Sequence, residues 1–325
     1  MLFDLRPKER LEDLFGRRGE FDELARFVKR GLWVVVLGRR MTGKTSLVKT
    51  LANEMKGVYV NLIGVRGVEG LVERLYFSAG FRLDEVKLGF QFAEFKWTKV
   101  AETVFANIKN KLVVLDEVQE IVSPYFLKLL KNLWDTYPEL RLVFTGSYVG
   151  VLKKLLEPSP SSPLHGRQPA KIVLKPFTKE LSIDFLEKGF KQFDREPNRA
   201  ELEETVEKLN GYVGWLTYYG NFRCVREETH QIALNYTLRE GLKIMTEELN
   251  RFLENKKKDI YVKVLRTCLY GAPWSEIADN VDANQKVLSQ VIGKLVDVGF
   301  LEKDDRLYVI HDPVLRAAVK KLRAR

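Results

Sequence analysis

The feature that most constrains the fold is the segment LGRRMTGKTS, residues 37–46, which directly follows the apolar run LWVVV. Its spacing Gly-x-x-x-x-Gly-Lys-Thr, placed between a predicted strand and a predicted helix, is that of a P-loop. Glycines let the main chain wrap closely around phosphate oxygens, and a helix start adds a partial positive charge. The segment therefore predicts a site for the phosphates of a nucleotide.

Two residues of this loop have side chains suited to binding a nucleotide with its metal ion. Lys44 can bridge the terminal phosphates as a point charge, and Thr45 can offer its hydroxyl to Mg²⁺. Arg39 and Arg40 could contact phosphates or point to solvent. A plain strand-to-helix turn is the alternative, but such a turn requires neither Lys44 nor Thr45. The predicted nucleotide-binding residues are Gly38, Arg39, Arg40, Met41, Thr42, Gly43, Lys44, Thr45 and Ser46.

Five apolar runs indicate the sheet that carries this loop. They are continuous rather than alternating, which is typical of parallel strands covered on both faces. The runs cover residues 32–37, 58–63, 112–115, 141–147 and 171–174. We therefore predict an α/β fold, a parallel P-loop NTPase sheet. The alternating stretch 86–95 predicts a small hairpin on its rim.

A second motif, the acidic segment LVVLDEVQE at residues 112–120, predicts the other half of the site. Asp116 ends a buried strand, and ligands of such sheets bind outside the carboxyl ends of the strands. Asp116 can hold Mg²⁺, and Glu117 could polarise an attacking water beside the γ-phosphate. Two acids that cap a helix are the alternative.

Two further catalytic candidates lie later in the chain. Ser147 or Thr145, where the fourth predicted strand ends, could hydrogen-bond the γ-phosphate or the attacking water; a simple strand-ending turn is the alternative. Arg167 lies in the proline-rich loop 157–169 and could stabilise transition-state charge in its own or a neighbouring subunit. A solvated arginine is an equal alternative.

The remaining sequence predicts two helical domains. We place the boundaries at 1–176 for the P-loop core, 177–255 for a helical lid and 256–325 for a C-terminal winged helix-turn-helix domain. The last consists of three helices and two short strands around an acidic turn. Its helix 284–298 has a polar face that could reach DNA bases or phosphates: Gln285, Lys286, Ser289, Gln290 and Lys294.

Charge and composition bear on partners. The 325-residue chain carries 54 Lys and Arg against 44 Asp and Glu, a net charge of +10, which favours polyanions such as nucleic acid without requiring them. The acidic turn would face phosphates poorly, so packing on the P-loop core or binding to a protein partner is the alternative. The two cysteines lie far apart, and no run is apolar enough to span a membrane. We expect a cytoplasmic protein.

These motifs occur in an order that resembles the archaeal ATPase family, which belongs to the STAND branch of the AAA+-like P-loop ATPases. FGRRGEFDEL at residues 15–24 is similar to the opening motif of that family, and GRRMTGKTSL and LDEVQE are similar to its two nucleotide motifs. The Gly-Arg pair before a strand and Pro-Phe, in residues 163–177, and the ending YVIHDPVLRAAV are similar to its later blocks.

The resemblance implies a five-stranded core, a helical lid, a winged helix and ATP as the nucleotide. The lid motif of the family is Gly-x-Pro, whereas GYVGWL has Val213 at the proline position. The function we predict is Mg²⁺-dependent ATP hydrolysis that drives a conformational switch, coupled to DNA or a protein, in a monomer or an oligomer. A regulator that binds ATP without turnover, or hydrolyses it very slowly, is the alternative.

Overall fold

The computed structural model describes residues 1–79, 97–146 and 157–322, together with Leu152 and Leu155. The chain divides into two compact units, one of residues 7–174 and one that combines residues 1–6 with 175–325. The predicted hairpin at 86–95 and the candidate Ser147 lie outside the described residues.

The first unit is built on a five-stranded sheet in the order β2-β3-β4-β1-β5. All neighbouring strands are parallel, which confirms the predicted sheet. Leu37 pairs with Gly146, and Asn61 pairs with Asp116, so the carboxyl ends of these strands lie along one edge. The strands are Val34–Gly38 (β1), Val58–Asn61 (β2), Leu112–Asp116 (β3), Arg141–Gly146 (β4) and Ala170–Leu174 (β5).

Helices cover both faces of the sheet. Val34 and Val36 of β1 belong to a core shared with the first two helices, and Val35 and Leu37 belong to a second core on the opposite face with the next three. Both sides of a strand are therefore apolar, which explains the continuous runs. These helices are Arg18–Lys29 (α1), Lys44–Glu54 (α2), Gly67–Ser78 (α3), Trp97–Asn107 (α4) and Pro124–Thr136 (α5).

The second unit is mainly helical. Its helices are Lys179–Lys191 (α6), Arg199–Leu209 (α7), Val213–Gly220 (α8), His230–Leu253 (α9), Lys258–Thr267 (α10), Trp274–Asn280 (α11), Gln285–Asp297 (α12) and Pro313–Lys321 (α13). A small antiparallel sheet of order β6-β8-β7 consists of Ala272–Pro273, Glu302–Asp304 and Leu307–Val309, numbered in chain order. The predicted lid and winged helix lie in this one unit, where a Cβ added at Gly241 of α9 would lie 2.8 Å from Val314 of α13.

The first six residues pack with the second unit, whereas the sequence placed them in the P-loop core. Phe3 is fully buried, and its ring contacts those of Phe185 and Phe190 at 5.8 and 5.9 Å. A Cβ at Gly189 or Gly220 would lie 2.1 or 2.3 Å from this ring, so only glycine leaves room for it. Residues 1–6 therefore complete the core of the second unit.

Candidate functional site

The P-loop connects the end of β1 to the start of α2 and takes a shape that needs its glycines. Gly43 precedes α2 at φ +93°, a left-handed conformation that strains other residues. A Cβ at Gly38 would lie 2.7 Å from Thr42 Oγ1 and 3.0 Å from the carbonyl oxygen of Leu174. Met41 also has a positive φ of 63°. The loop thus wraps more tightly than side chains at its glycine positions would allow.

The carbonyl oxygen of Arg39 organises the inside of this loop. It accepts a hydrogen bond from Thr42 Oγ1 at 2.7 Å and one from Lys44 Nζ at 2.9 Å. Lys44 is the first residue of α2, and its side chain is buried although it is cationic. The ammonium group therefore lies against the loop, beside the first amides of α2, which have no acceptor within the helix.

The other loop residues take different positions. Thr45 is half-buried at the second position of α2, whereas Arg40 is exposed. Ser46 Oγ accepts a hydrogen bond from the amide of Lys8 at 3.1 Å. The hydroxyl of Ser46 is thus engaged with the chain that precedes the opening motif, and nucleotide binding by Ser46 stays a prediction.

Asp116 lies at the end of β3 and is held from both neighbouring strands. Its Oδ2 accepts from the hydroxyl of Tyr59 in β2 at 2.7 Å, and its Oδ1 accepts from Thr145 Oγ1 in β4 at 3.0 Å. The amide of Glu117 donates to the same Oδ1 at 3.1 Å. Burial, followed by the charge of Asp116, raises the pKa of Tyr59, so its proton stays available to the carboxylate. Sequence reasoning missed Tyr59, whose only signal was its place within a predicted strand.

Glu117 follows Asp116 in a left-handed conformation, with φ 59° and ψ 44°. This conformation is uncommon for a residue with a side chain and often marks functional sites. Glu117 lies between the end of β3 and the short 3₁₀ helix Val118–Glu120, so its side chain starts from the edge where β1 and β4 also end. The structure therefore brings the P-loop, Asp116 and Glu117 to one edge of the sheet.

The opening motif contributes Arg17, which sequence reasoning quoted but did not place in the site. Arg17 is buried and donates from Nη2 to the carbonyl oxygen of Thr42 at 3.1 Å. Its Nη1 pairs with Glu20 at 2.8 Å. Burial lowers the pKa of Arg17, and the ion pair with Glu20 opposes that shift. The opening motif thus stabilises the P-loop through a hydrogen bond to its main chain.

Arg167 is not brought to the P-loop within its own chain. It forms a two-point ion pair with Asp135, from Nε to Oδ1 at 2.8 Å and from Nη2 to Oδ2 at 3.1 Å. It precedes β5, which begins at Ala170, and that strand is parallel to β1. Arg167 therefore lies at the amino edge of the sheet, whereas the P-loop follows the carboxyl end of β1. Action in a neighbouring subunit stays a prediction.

The donor set fits a nucleotide with Mg²⁺. The tight loop, the buried ammonium group and the helix start suit polyphosphate, and a hydroxyl with a carboxylate suits a cation that prefers oxygen ligands. Among the described residues, no three His, Cys, Asp or Glu side chains gather into a metal-binding group. Thr45 and Asp116 would accordingly hold Mg²⁺ together with phosphate and water oxygens.

Comparison with known protein families decides the assignment. A family model described as an ATPase domain predominantly from Archaea matches residues 14–218, more than half of the chain. The chain belongs to this family. The match spans the opening motif, the P-loop and the Asp116–Glu117 pair, so the protein is an ATPase. The match also confirms the resemblance to the archaeal ATPase family that these motifs indicate.

Solved structures agree with the family assignment. The protein is similar to a Walker-type ATPase of Pyrococcus abyssi, with 26% identity and a TM-score of 0.84 over 98% of this chain and 100% of that chain. A variant of RuvB from Thermotoga maritima has 17% identity and a TM-score of 0.50 over 98% and 99%, a likeness of fold alone. Comparison with curated proteins gives no significant match. No helix in the described part of this ATPase is long and apolar enough to cross a membrane.

Proposed function

We propose that the protein binds Mg·ATP in the P-loop and hydrolyses it, with Glu117 as the general base. The observation that carries the proposal is the meeting of three groups at one sheet edge: the buried ammonium of Lys44, the oriented carboxylate of Asp116, and Glu117 in its left-handed turn. A carboxylate base beside phosphate and Mg²⁺ suits transfer to water.

The proposed roles follow from chemistry and position. Lys44 and the first amides of α2 hold the β- and γ-phosphates, and Thr45 with Asp116 holds the metal. Bound Mg²⁺ would neutralise charge on the phosphate oxygens as the terminal phosphoryl group leaves. Glu117 would orient a water and take its proton. Arg167 of a neighbouring subunit and Ser147 are additional candidates for contact with the γ-phosphate.

We further propose that turnover changes the conformation of the helical unit and is coupled to duplex DNA or a protein through residues 256–325. The helices α10 to α12 and the sheet β6-β8-β7 have the order of a winged helix. The exposed face of α12 supports a polyanionic partner. The exposed Asp304, which ends β7, and the exposed Asp305 after it favour a protein. A salt-dependent shift of duplex DNA would support the first partner.

Two substitutions test the central proposal. Lys44→Ala should weaken ATP binding at least about 30-fold, since a buried charge contact contributes at least about 2 kcal/mol. Glu117→Gln should keep ATP binding and lower turnover by about 10²- to 10⁴-fold. The matched control is Glu120→Gln, because Glu120 is exposed three residues away in the same motif.

Calorimetry with ATP and Mg²⁺ and steady-state phosphate release provide the measurements. Equal turnover by the Glu117→Gln variant and the native protein would rule out the general-base role. Tight binding with turnover far below one per minute in every condition would instead assign a nucleotide-binding regulator, because typical enzymes turn over about 10 times per second.

A further inference from the structure

Gln119 contacts Glu117, the proposed general base. It lies in the 3₁₀ helix that follows Glu117, and its Nε2 donates to Glu117 Oε2 at 2.5 Å. A glutamate side chain rotates about three bonds, and the backbone of Glu117 fixes only where that side chain begins. The amide of Gln119 is therefore a contact that restrains the far end of the carboxylate.

Gly146 at the end of β4 leaves room for the amide of Gln119. A Cβ at Gly146 would lie 2.2 Å from Gln119 Oε1, so the amide occupies space that only a glycine leaves open. The direction of the amide is also determined, because an ionised carboxylate can only accept hydrogen bonds. Nε2 must face Glu117, and Oε1 must face Gly146.

The oxygen of this amide is a buried polar atom. Gln119 Oε1 is inaccessible to solvent, and no donor in the described residues bonds to it. Leaving an acceptor unsatisfied costs about 1–3 kcal/mol. A glutamine whose only role was to fill space would be replaced at lower cost by an apolar residue of similar size, so the amide nitrogen is the part of the side chain that the site uses.

We propose that Gln119 is a positioning residue for Glu117, seated on Gly146, and this inference rests on the proposed hydrolysis of ATP. The amide holds the carboxylate in the orientation from which it polarises the attacking water. Without it the carboxylate loses one restraint on its orientation, and a misplacement of about 1 Å lowers the rate about 100-fold. Nucleotide binding depends on Lys44 and the P-loop instead, so it should not change.

The first experiment substitutes Gln119 alone. Gln119→Leu removes the amide at similar size and should lower kcat about 10- to 100-fold, while KM and the ATP dissociation constant stay within about 3-fold of native. Gln119→Glu keeps the shape and places a second carboxylate against Glu117, so it should lower kcat at least as much. Thermal unfolding is measured for both variants. If Gln119→Leu does not fold, the kcat of Gln119→Glu tests the proposal.

The second experiment substitutes Gly146. If Gln119 had only a structural role, a change at Gly146 would not lower kcat through Gln119. Gly146→Ala should displace the amide and lower kcat as Gln119→Leu does. In a Gln119→Ala background the added methyl meets no amide, so the double variant should turn over like Gln119→Ala alone. Independent, additive losses of kcat would overturn the proposed seat.

The outcomes separate this inference from the proposed function. Native kcat in both Gln119→Leu and Gln119→Glu, with Glu117→Gln inactive, would overturn the inference and leave ATP hydrolysis in place. Equal turnover of native protein and Glu117→Gln would remove the general base and the positioning role together. A parallel change in KM and thermal stability without a loss of kcat would show that Gln119 only packs.

Discussion

The hydroxyl of Thr145 donates to Oδ1 of Asp116 at 3.0 Å. A residue near the end of β4 therefore orients the acidic residue that ends β3. Both side chains are buried. Because β4 lies between β3 and β1, this contact ties the candidate metal ligand to the strand that adjoins the P-loop strand.

Thr145→Val should therefore destabilise the protein and weaken metal use. It keeps the shape but removes a donor from a buried carboxylate, which costs about 1.5–3 kcal/mol. We expect a lower denaturant midpoint and a higher Mg²⁺ concentration for half-maximal ATP binding. Thr145→Ser retains the hydroxyl and is the control; identical Mg²⁺ titrations for the two variants would contradict the orienting role.

Phe3→Ala should destabilise the helical unit strongly. The ring fills a cavity lined by Phe185, Phe190 and two glycines, and truncating a buried phenylalanine costs about 3–5 kcal/mol. Thermal unfolding would show the change. Leu5→Ala, at a side chain that is 40% exposed, is the control from the same segment. A melting temperature equal to that of the control would contradict the role of the Phe3 ring in the core.

The carboxylate of Glu204 should make the free energy of unfolding depend on pH in the acidic range. Lys208 and then His230 hold the pKa of Glu204 at about 2, below its ordinary value of 4.5. Because the pKa is lowered in the folded state, the ionised carboxylate stabilises the fold at pH values above 4.5. That contribution is lost as the pH falls from about 4.5 towards 2. Glu204→Gln should flatten the free energy of unfolding across this window in denaturant titrations. The exposed Glu207→Gln serves for comparison, and equal pH profiles of the two variants would disprove the assignment.

Val213→Pro should be tolerated and slightly stabilising. Val213 is the first residue of α8, where the amide has no acceptor within the helix and proline fits. Tyr212 before it is extended, at φ −71° and ψ 100°, as a residue before proline should be. We expect a gain of about 0.4–1 kcal/mol in unfolding free energy, with ATP turnover unchanged. Lower stability would mean that the amide of Val213 is needed.

The sequence by itself determined the sheet and the nucleotide loop, because both depend on local patterns. Strands covered on both faces must be continuously apolar, and a loop that wraps around phosphate must have glycine at Gly38 and Gly43. The place of Asp116 followed from the same logic, since it ends a buried strand.

Only the tertiary structure decided which side chains support these groups. Tyr59, Thr145 and Arg17 come from separate elements, and their contacts with Asp116 and Thr42 depend on strand order and register. Phe3 reaches a cavity formed by residues about 180 to 220 positions later. Contacts at such sequence separation leave no periodic trace in the chain, because nothing local constrains which partner will fill the space.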